Sequence, residues 1–133
     1  MTHVFPYYTA IYAAVLGLLA VLLTVNVIVN RVRAKVDFGD GGVAVLGKAI
    51  RAHANFAEHT PIALLLIGLV EAFGYPVLVV NGLGVVFLAA RLLSALGLNS
   101  TLKQSFGRQT GASLTVLVTA VSAALIIYAV ISH

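Results

Sequence analysis

Four stretches of this chain, residues 6–30, 43–73, 77–98 and 109–131, are long and dominated by apolar residues. Roughly 20 apolar residues suffice for a helix to cross the hydrocarbon core of a bilayer. In lipid a spanning segment must satisfy its own backbone, which leaves helices and closed barrels. Barrel strands would be about 10 residues long with alternating polarity, and no such alternation is present. The chain is 61% hydrophobic and 9% charged, against about 25% charged residues in a soluble domain. A soluble fold of 133 residues could not bury that much apolar surface. The expected architecture is therefore all-α: a polytopic membrane protein forming one four-transmembrane-helix bundle over residues 1–133, with both ends on one side. The first stretch is expected to remain in the mature chain. It has no basic start, its apolar run is too long for a signal peptide, and no small-residue cleavage site precedes Arg31.

The gaps between these stretches carry turn chemistry. Residues 37–42 read DFGDGG and residues 73–76 read FGYP, both turn signals. Residues 99–106 read NSTLKQSF, a polar loop. No linker or low-complexity tract marks a second domain. There is no cysteine, which excludes disulfides and thiolate metal sites.

Positive charge sets the orientation. Arg31, Arg33, Lys35, Lys48 and Arg51 cluster around the first loop, and Lys103 and Arg108 sit at the third. Residues 1–30, 52–90 and 112–133 contain no Lys or Arg. The positive-inside rule then puts loops one and three in the cytoplasm and both termini outside. Phe5, Tyr7, Tyr8, Phe73, Tyr75 and Tyr128 would form an aromatic belt at the outer interface. The net charge of +4 flanks spans rather than forming a basic domain, so a nucleic-acid partner is not expected. Topology and contact with anionic lipid account for it.

Ionisable groups inside spans point to function by default. Glu58, Glu71 and Arg91 are such groups, and Arg51 stands at a helix entrance. Residues 51–61 read RAHANFAEHTP. Arg51, Asn55 and Glu58 fall at i, i+4 and i+7, on one helix face. Arg51 and Glu58 are two turns apart, so Asn55 is expected to bridge them. Pro61 is expected to kink the helix and free the carbonyl of Ala57. Counting from Phe73 and Pro76, Glu58 and Arg91 both lie about 22 Å from the outer end. That is about 8 Å inside the cytoplasmic edge of a 30 Å core. The matched depth predicts that Glu58 and Arg91 face one another, within a chain or between subunits. Glu71 reads as a solvated carboxylate at headgroup level. Asn26 and Asn30 either complete a polar cavity or join helices by hydrogen bonds. His53 and His59 lie six residues apart, which is not the i, i+4 spacing of a two-His metal site. His3 and His133 are terminal, and no metal site is expected. Glycines and small residues such as Gly84, Gly111 and Ser122 permit close helix approach. Four short helices enclose little interior, so a polar site near one surface favours a homo-oligomer.

The run Gly39–Asp40–Gly41–Gly42, then Leu46, RAHANFAEHTP, Leu64–Leu66 and Glu71 resembles the MAPEG family, the membrane-associated proteins in eicosanoid and glutathione metabolism, above all its bacterial inner-membrane branch. Arg51, Asn55, Glu58 and Pro61 stand at that family's signature spacing. Ala90–Leu93 with Gly97–Leu98, and Arg108, Gly111 and Leu114–Thr115, are similar to its third and fourth helices. The resemblance implies a homotrimer that binds glutathione between neighbouring subunits near the cytoplasmic face. It implies that Arg51 and Asn55 contact the backbone and carboxylates of glutathione, and that Glu58 meets its amino group or orients Arg51. Arg108 would stabilise the thiolate, and Arg91 would support Glu58. His59 stands where the family's active transferases carry a tyrosine, and helix three, which offers Ser94 and Leu98, has none. His59 and Ser94 would act as the substitute hydrogen-bonding partners.

Two functions follow. One is a glutathione transferase or peroxidase acting on lipophilic electrophiles that arrive through the bilayer. The other is a non-catalytic membrane protein whose polar cluster binds another small anion, a lipid headgroup or a partner subunit. A transporter lacks support, because no inverted repeat or paired broken helices are visible.

Overall fold

The computed structural model describes residues 5–100 and 106–132, with backbone alone at 99 and 100. These form four helices, α1 (Tyr7–Ala34), α2 (Ala44–Ala72), α3 (Val77–Ser100) and α4 (Phe106–Ile131), and no strand occurs among them. The chain is an all-α helical membrane protein. Helices α2 and α3 form the centre of the bundle. α1 and α4 flank this pair on opposite sides and, among the described residues, do not touch each other. Leu16 and Leu23 of α1, Phe56, Ala63 and Ile67 of α2, Val80 and Phe87 of α3 and Val118 of α4 build the core.

Helices α1, α3 and α4 are each long and apolar enough to cross a membrane on their own. The outer surface of α1 carries Ile11, Leu18, Val21, Leu22, Ile28 and Val32, all exposed. In water such a belt would be prohibitive; in lipid it is the solvated surface. Helix α2 falls below that apolar standard because residues 51–61 are polar, and it lies in the bundle through its packing on all three neighbours. It continues through Pro61 as one helix.

Helix α1 runs on through Arg31 and Arg33 and ends at Lys35, in the left-handed region at φ 55°. The N–H groups of Lys35 and Val36 close back on the carbonyls of Val32 and Arg31. Arg31 then clamps the loop that follows, donating from Nη1 to the carbonyl of Gly39 at 2.7 Å. The turn at Gly39, Gly41 and Gly42 needs positive φ at all three, which glycine supplies at little steric cost. Of the polar loop expected at 99–106, Asn99 and Ser100 belong to α3 and Phe106 to α4. Residues 101–105, Lys103 among them, lie outside the described residues, as do His3 and His133.

Glu71 is not a solvated headgroup-level carboxylate. It is buried, 4% exposed. Its Oε1 accepts from the N–H of Tyr8 at 2.9 Å, and its Oε2 accepts from the N–H and hydroxyl of Thr9 at 2.8 and 2.7 Å. The first N–H groups of a helix have no partner within it, and α1 has no side-chain cap of its own. A carboxylate from α2 fills that role and complements the positive end of the α1 dipole.

Two further locks hold the bundle. The Tyr12 hydroxyl donates to Asn81 Oδ1 at 2.9 Å, and the Tyr12 ring lies against Gly84. The Tyr75 hydroxyl donates to the Leu125 carbonyl at 2.6 Å. Tyr75 belongs with Tyr128, Phe73, Tyr8, Tyr7 and Phe5 at the end of the bundle opposite the basic loops.

Candidate functional site

The polar residues of α2 divide between two surroundings. With about 100° per residue, Arg51 and Glu58 lie about 20° apart around the helix, whereas Asn55 is turned about 60° from Glu58. Arg51 and Glu58 therefore share the outward face. Their side chains are 47% and 53% exposed, and Arg51 Nη1 stands 3.6 Å from Glu58 Oε1. The pair closes directly over two turns, without Asn55 as a bridge. Asn55 is half-buried and turned towards α3.

There it meets Arg91. Arg91 is 1% exposed, the largest fully buried side chain among the described residues. It does not face Glu58, and its burial leaves no surface with which to reach a neighbouring subunit. Equal depth placed the two charges at one level, but the azimuth of Glu58 turns it out of the bundle. Arg91 Nη1 donates to Asn55 Oδ1 at 3.0 Å, with the Asn55 carbonyl at 3.4 Å. Its Nη2 donates to Ser94 Oγ at 3.0 Å and to Thr115 Oγ1, on α4, at 2.6 Å. The Thr115 hydroxyl in turn donates to the Gly111 carbonyl at 2.8 Å. One guanidinium thus ties α2, α3 and α4 together through neutral acceptors. The Phe87 ring lies 6.0 Å from its carbon centre, and its Nε has no partner among the described residues.

This lock fixes a chemical choice at Asn55. An arginine only donates, so the amide oxygen must face it. The amide nitrogen, a donor, is what Asn55 can still offer. Arg51 and Asn55, one helical turn apart, thus supply a guanidinium and an amide NH2, a donor set suited to a carboxylate. Glu58 supplies the one negative charge of the trio.

The remaining predicted residues are placed as follows. His59 is half-buried on α2 next to Glu58, and Ser94 is buried in the Arg91 cluster rather than at the surface. Arg108 lies half-buried in the first turn of α4. It shares a face with Gly111 and Thr115 at i, i+3 and i+7, so it stands two turns from the Arg91 cluster towards the basic end. Asn26 and Asn30 join one another within α1, Asn30 Nδ2 donating to Asn26 O and Oδ1 at 2.8 and 3.0 Å. Both line a cavity of about 440 Å3 with Leu92 and Leu96 of α3. A second cavity, about 530 Å3, lies where loop one meets α2 and includes Arg51. No cluster of potential metal ligands occurs among the described residues. Sequence reasoning missed Thr115 as a member of the cluster. Its signal was a hydroxyl on the α4 face that also carries Gly111.

A four-helix membrane bundle with a half-exposed Arg51–Glu58 pair on α2, and Asn55 and a buried arginine behind it, defines the class. The chain belongs to the MAPEG family, whose profile matches residues 9–128. It is 36% identical over 107 residues to the inner membrane protein YecN of Escherichia coli strain K12, covering 80% of each chain. The YecN protein of Escherichia coli O6:H1 strain CFT073 shows the same identity and coverage. No solved structure matches.

Proposed function

We propose that this protein binds glutathione at the Arg51–Asn55–Glu58 face of α2 and transfers it to, or uses it to reduce, lipophilic electrophiles drawn from the bilayer. The observation that carries this reading is the Arg91–Asn55 hydrogen bond, 3.0 Å. It commits the amide oxygen to Arg91, so what Asn55 can still offer a ligand is its amide donor. Glutathione is a small tripeptide with two carboxylates, and a guanidinium with a neighbouring NH2 answers that chemistry. It brings a thiol with a pKa of about 8.5, and a nearby arginine raises the fraction present as the nucleophilic thiolate. Arg108, at the start of α4, is the arginine proposed for that task, with His59 as a supporting hydrogen-bonding group and Ser94, bound to Arg91, acting only through the buried cluster behind the face. The setting is the inner membrane, with the basic loops one and three in the cytoplasm and both termini outside. A homotrimer would cover the exposed Arg51–Glu58 pair, whose place within an otherwise apolar bundle surface is costly against lipid.

The absence of any tyrosine from α3 favours a second reading, in which binding persists without group transfer and the occupant is glutathione or another small anion. Calorimetric titration of glutathione into the detergent-purified protein, beside Arg51→Ala, tests the primary claim. Saturable binding to the wild type is expected, weakened about tenfold or more in the variant, the loss of a charged hydrogen bond. No heat from the wild type at millimolar glutathione rejects it. Turnover with a lipophilic electrophile then separates the two readings.

A further inference from the structure

A further cavity, about 260 Å3, lies at the end of the bundle opposite the basic loops. The turn between α2 and α3 bounds it with Phe73, Gly74, Tyr75 and Pro76, and the end of α4 bounds it with Tyr128 and Ser132. We infer that this cavity holds the primary ammonium of a phospholipid headgroup, as phosphatidylethanolamine carries. Arg51 stands towards the other end of α2, so the site does not depend on what binds there.

Two helices end at this cavity. The carbonyl end of a helix carries about half a negative charge, and its last carbonyls have no partner within the helix. Neither α2 nor α4 has a basic residue in its last turn, and residues 52–90 and 112–133 contain no Lys or Arg. At α2, the N–H groups of Phe73, Gly74 and Tyr75 close back on the carbonyls of Leu69, Glu71 and Val70. The residue placed to close on Ala72 is Pro76, which has no N–H. The carbonyls of Ala72 and Phe73 accept no hydrogen bond among the described residues. At α4, Ser132 gives both its N–H and its hydroxyl to the Tyr128 carbonyl, at 3.0 and 2.7 Å. That leaves the carbonyls of Ala129, Val130 and Ile131 without a donor among the described residues. The negative ends of both helices thus meet no cation of this chain.

The walls suit the same charge. Phe73, Tyr75 and Tyr128 bring three aromatic rings to one cavity, and the faces of such rings attract cations. The Tyr75 hydroxyl donates to the Leu125 carbonyl at 2.6 Å, which ties the α2–α3 turn to α4 and fixes that wall. Tyr128 is 69% exposed, so its ring is open to a molecule from the bilayer. The level fits as well. Helices α2 and α4 have 29 and 26 residues, about 43 and 39 Å. A hydrocarbon core is roughly 30 Å thick, so their ends reach the headgroups, where a lipid ammonium is found. A primary ammonium brings three N–H donors to open carbonyls. A trimethylammonium carries the same charge and brings none.

The test measures lipid binding by native mass spectrometry on the purified full chain in detergent. The probes are phosphatidylethanolamine and phosphatidylcholine with identical acyl chains. They differ only in methylation of the ammonium, so contacts elsewhere on the surface cancel in their ratio. The wild type should prefer phosphatidylethanolamine by roughly tenfold, the size of one charged hydrogen bond. Ser132→Lys sets an ammonium of the chain itself at the cavity and should abolish that preference. Tyr128→Leu should lower the affinity for phosphatidylethanolamine about threefold, as loss of an exposed cation–π contact does. Tyr7→Leu removes an exposed ring from the same end but outside the cavity, and should leave the affinity unchanged. Equal binding of the two lipids by the wild type, a preference that survives Ser132→Lys, or equal losses in Tyr128→Leu and Tyr7→Leu would each overturn the assignment.

Discussion

Arg91 shows how much a single buried charge can decide. A guanidinium inside a membrane helix is costly, and here no carboxylate compensates it among the residues it contacts. Three neutral side-chain oxygens, from Asn55, Ser94 and Thr115, share the charge. Such a group is weak evidence for stability as such, but removing it strands the partners. Arg91→Met should destabilise the bundle by about 2–3 kcal/mol, the cost of acceptors left without donors. Asn55→Ala should matter mainly while Arg91 is present. A double-mutant cycle by denaturant unfolding in detergent should give a coupling of about 1 kcal/mol or more, and additive costs would reject the lock. That Arg91 faces inward was legible from its charge and its place in a span. Its partner was not, because depth along a helix follows from counting residues whereas azimuth between two helices depends on how they pack. Glu71 escapes sequence reasoning for a related cause. Its position near a helix end suggests solvent, but the N–H groups it satisfies belong to α1, 62 and 63 residues away in the chain.

At the level of helices, the four apolar stretches were plain in the sequence, since lipid requires long apolar runs and the DFGDGG and FGYP turns interrupt them. The spacing of Arg51, Asn55 and Glu58 was also plain, but their division into an outward pair and an inward amide emerges only with the neighbours in place. The contact between α3 and α4 was hinted at by small residues. Gly111 is where it is tightest: a methyl group there would stand 2.7 Å from the Ala90 carbonyl and also strike the Ser94 hydroxyl. The Ala90 carbonyl is backbone and cannot swing aside. Gly111→Ala should therefore push α4 off α3, cost about 1–3 kcal/mol as overpacking does, and disturb the Thr115–Arg91 bond beside it. Gly82→Ala is the matched control, because nothing lies within 4 Å of its added methyl. It should be neutral or stabilise by about 0.5–1 kcal/mol through helix preference. Thermal unfolding of the two variants in one detergent decides the matter, and equal losses would mean that Gly111 is not a contact point.

For the whole molecule, the question is what covers the polar face of α2. A single subunit leaves Arg51 and Glu58 about half exposed on a bundle whose surface is otherwise largely apolar. If lipid covered them, their mutual attraction would offset only part of their desolvation. If water covered them, the bilayer would have to thin beside α2. A second copy seated on this face would exclude lipid from the pair. A closed ring uses two different surfaces of each subunit, repeated by rotation, and α1 and α4 stand on opposite sides of the α2–α3 pair, available to serve as the two edges. The expectation is a three-subunit ring, and native mass spectrometry from nanodiscs should report three chains of 13.9 kDa each. The chain has no cysteine, so a single Ile62→Cys substitution, one turn from Glu58 on the same face of α2 and 49% exposed, reports on that face alone. The introduced thiol should cross-link to a neighbour with a short bismaleimide, and glutathione should slow the reaction if the ligand lies between subunits. A monomeric mass, with that thiol reacting only with solution reagents, would place the Arg51–Glu58 pair in a water-filled recess of one subunit and remove the assembly from the account of the site.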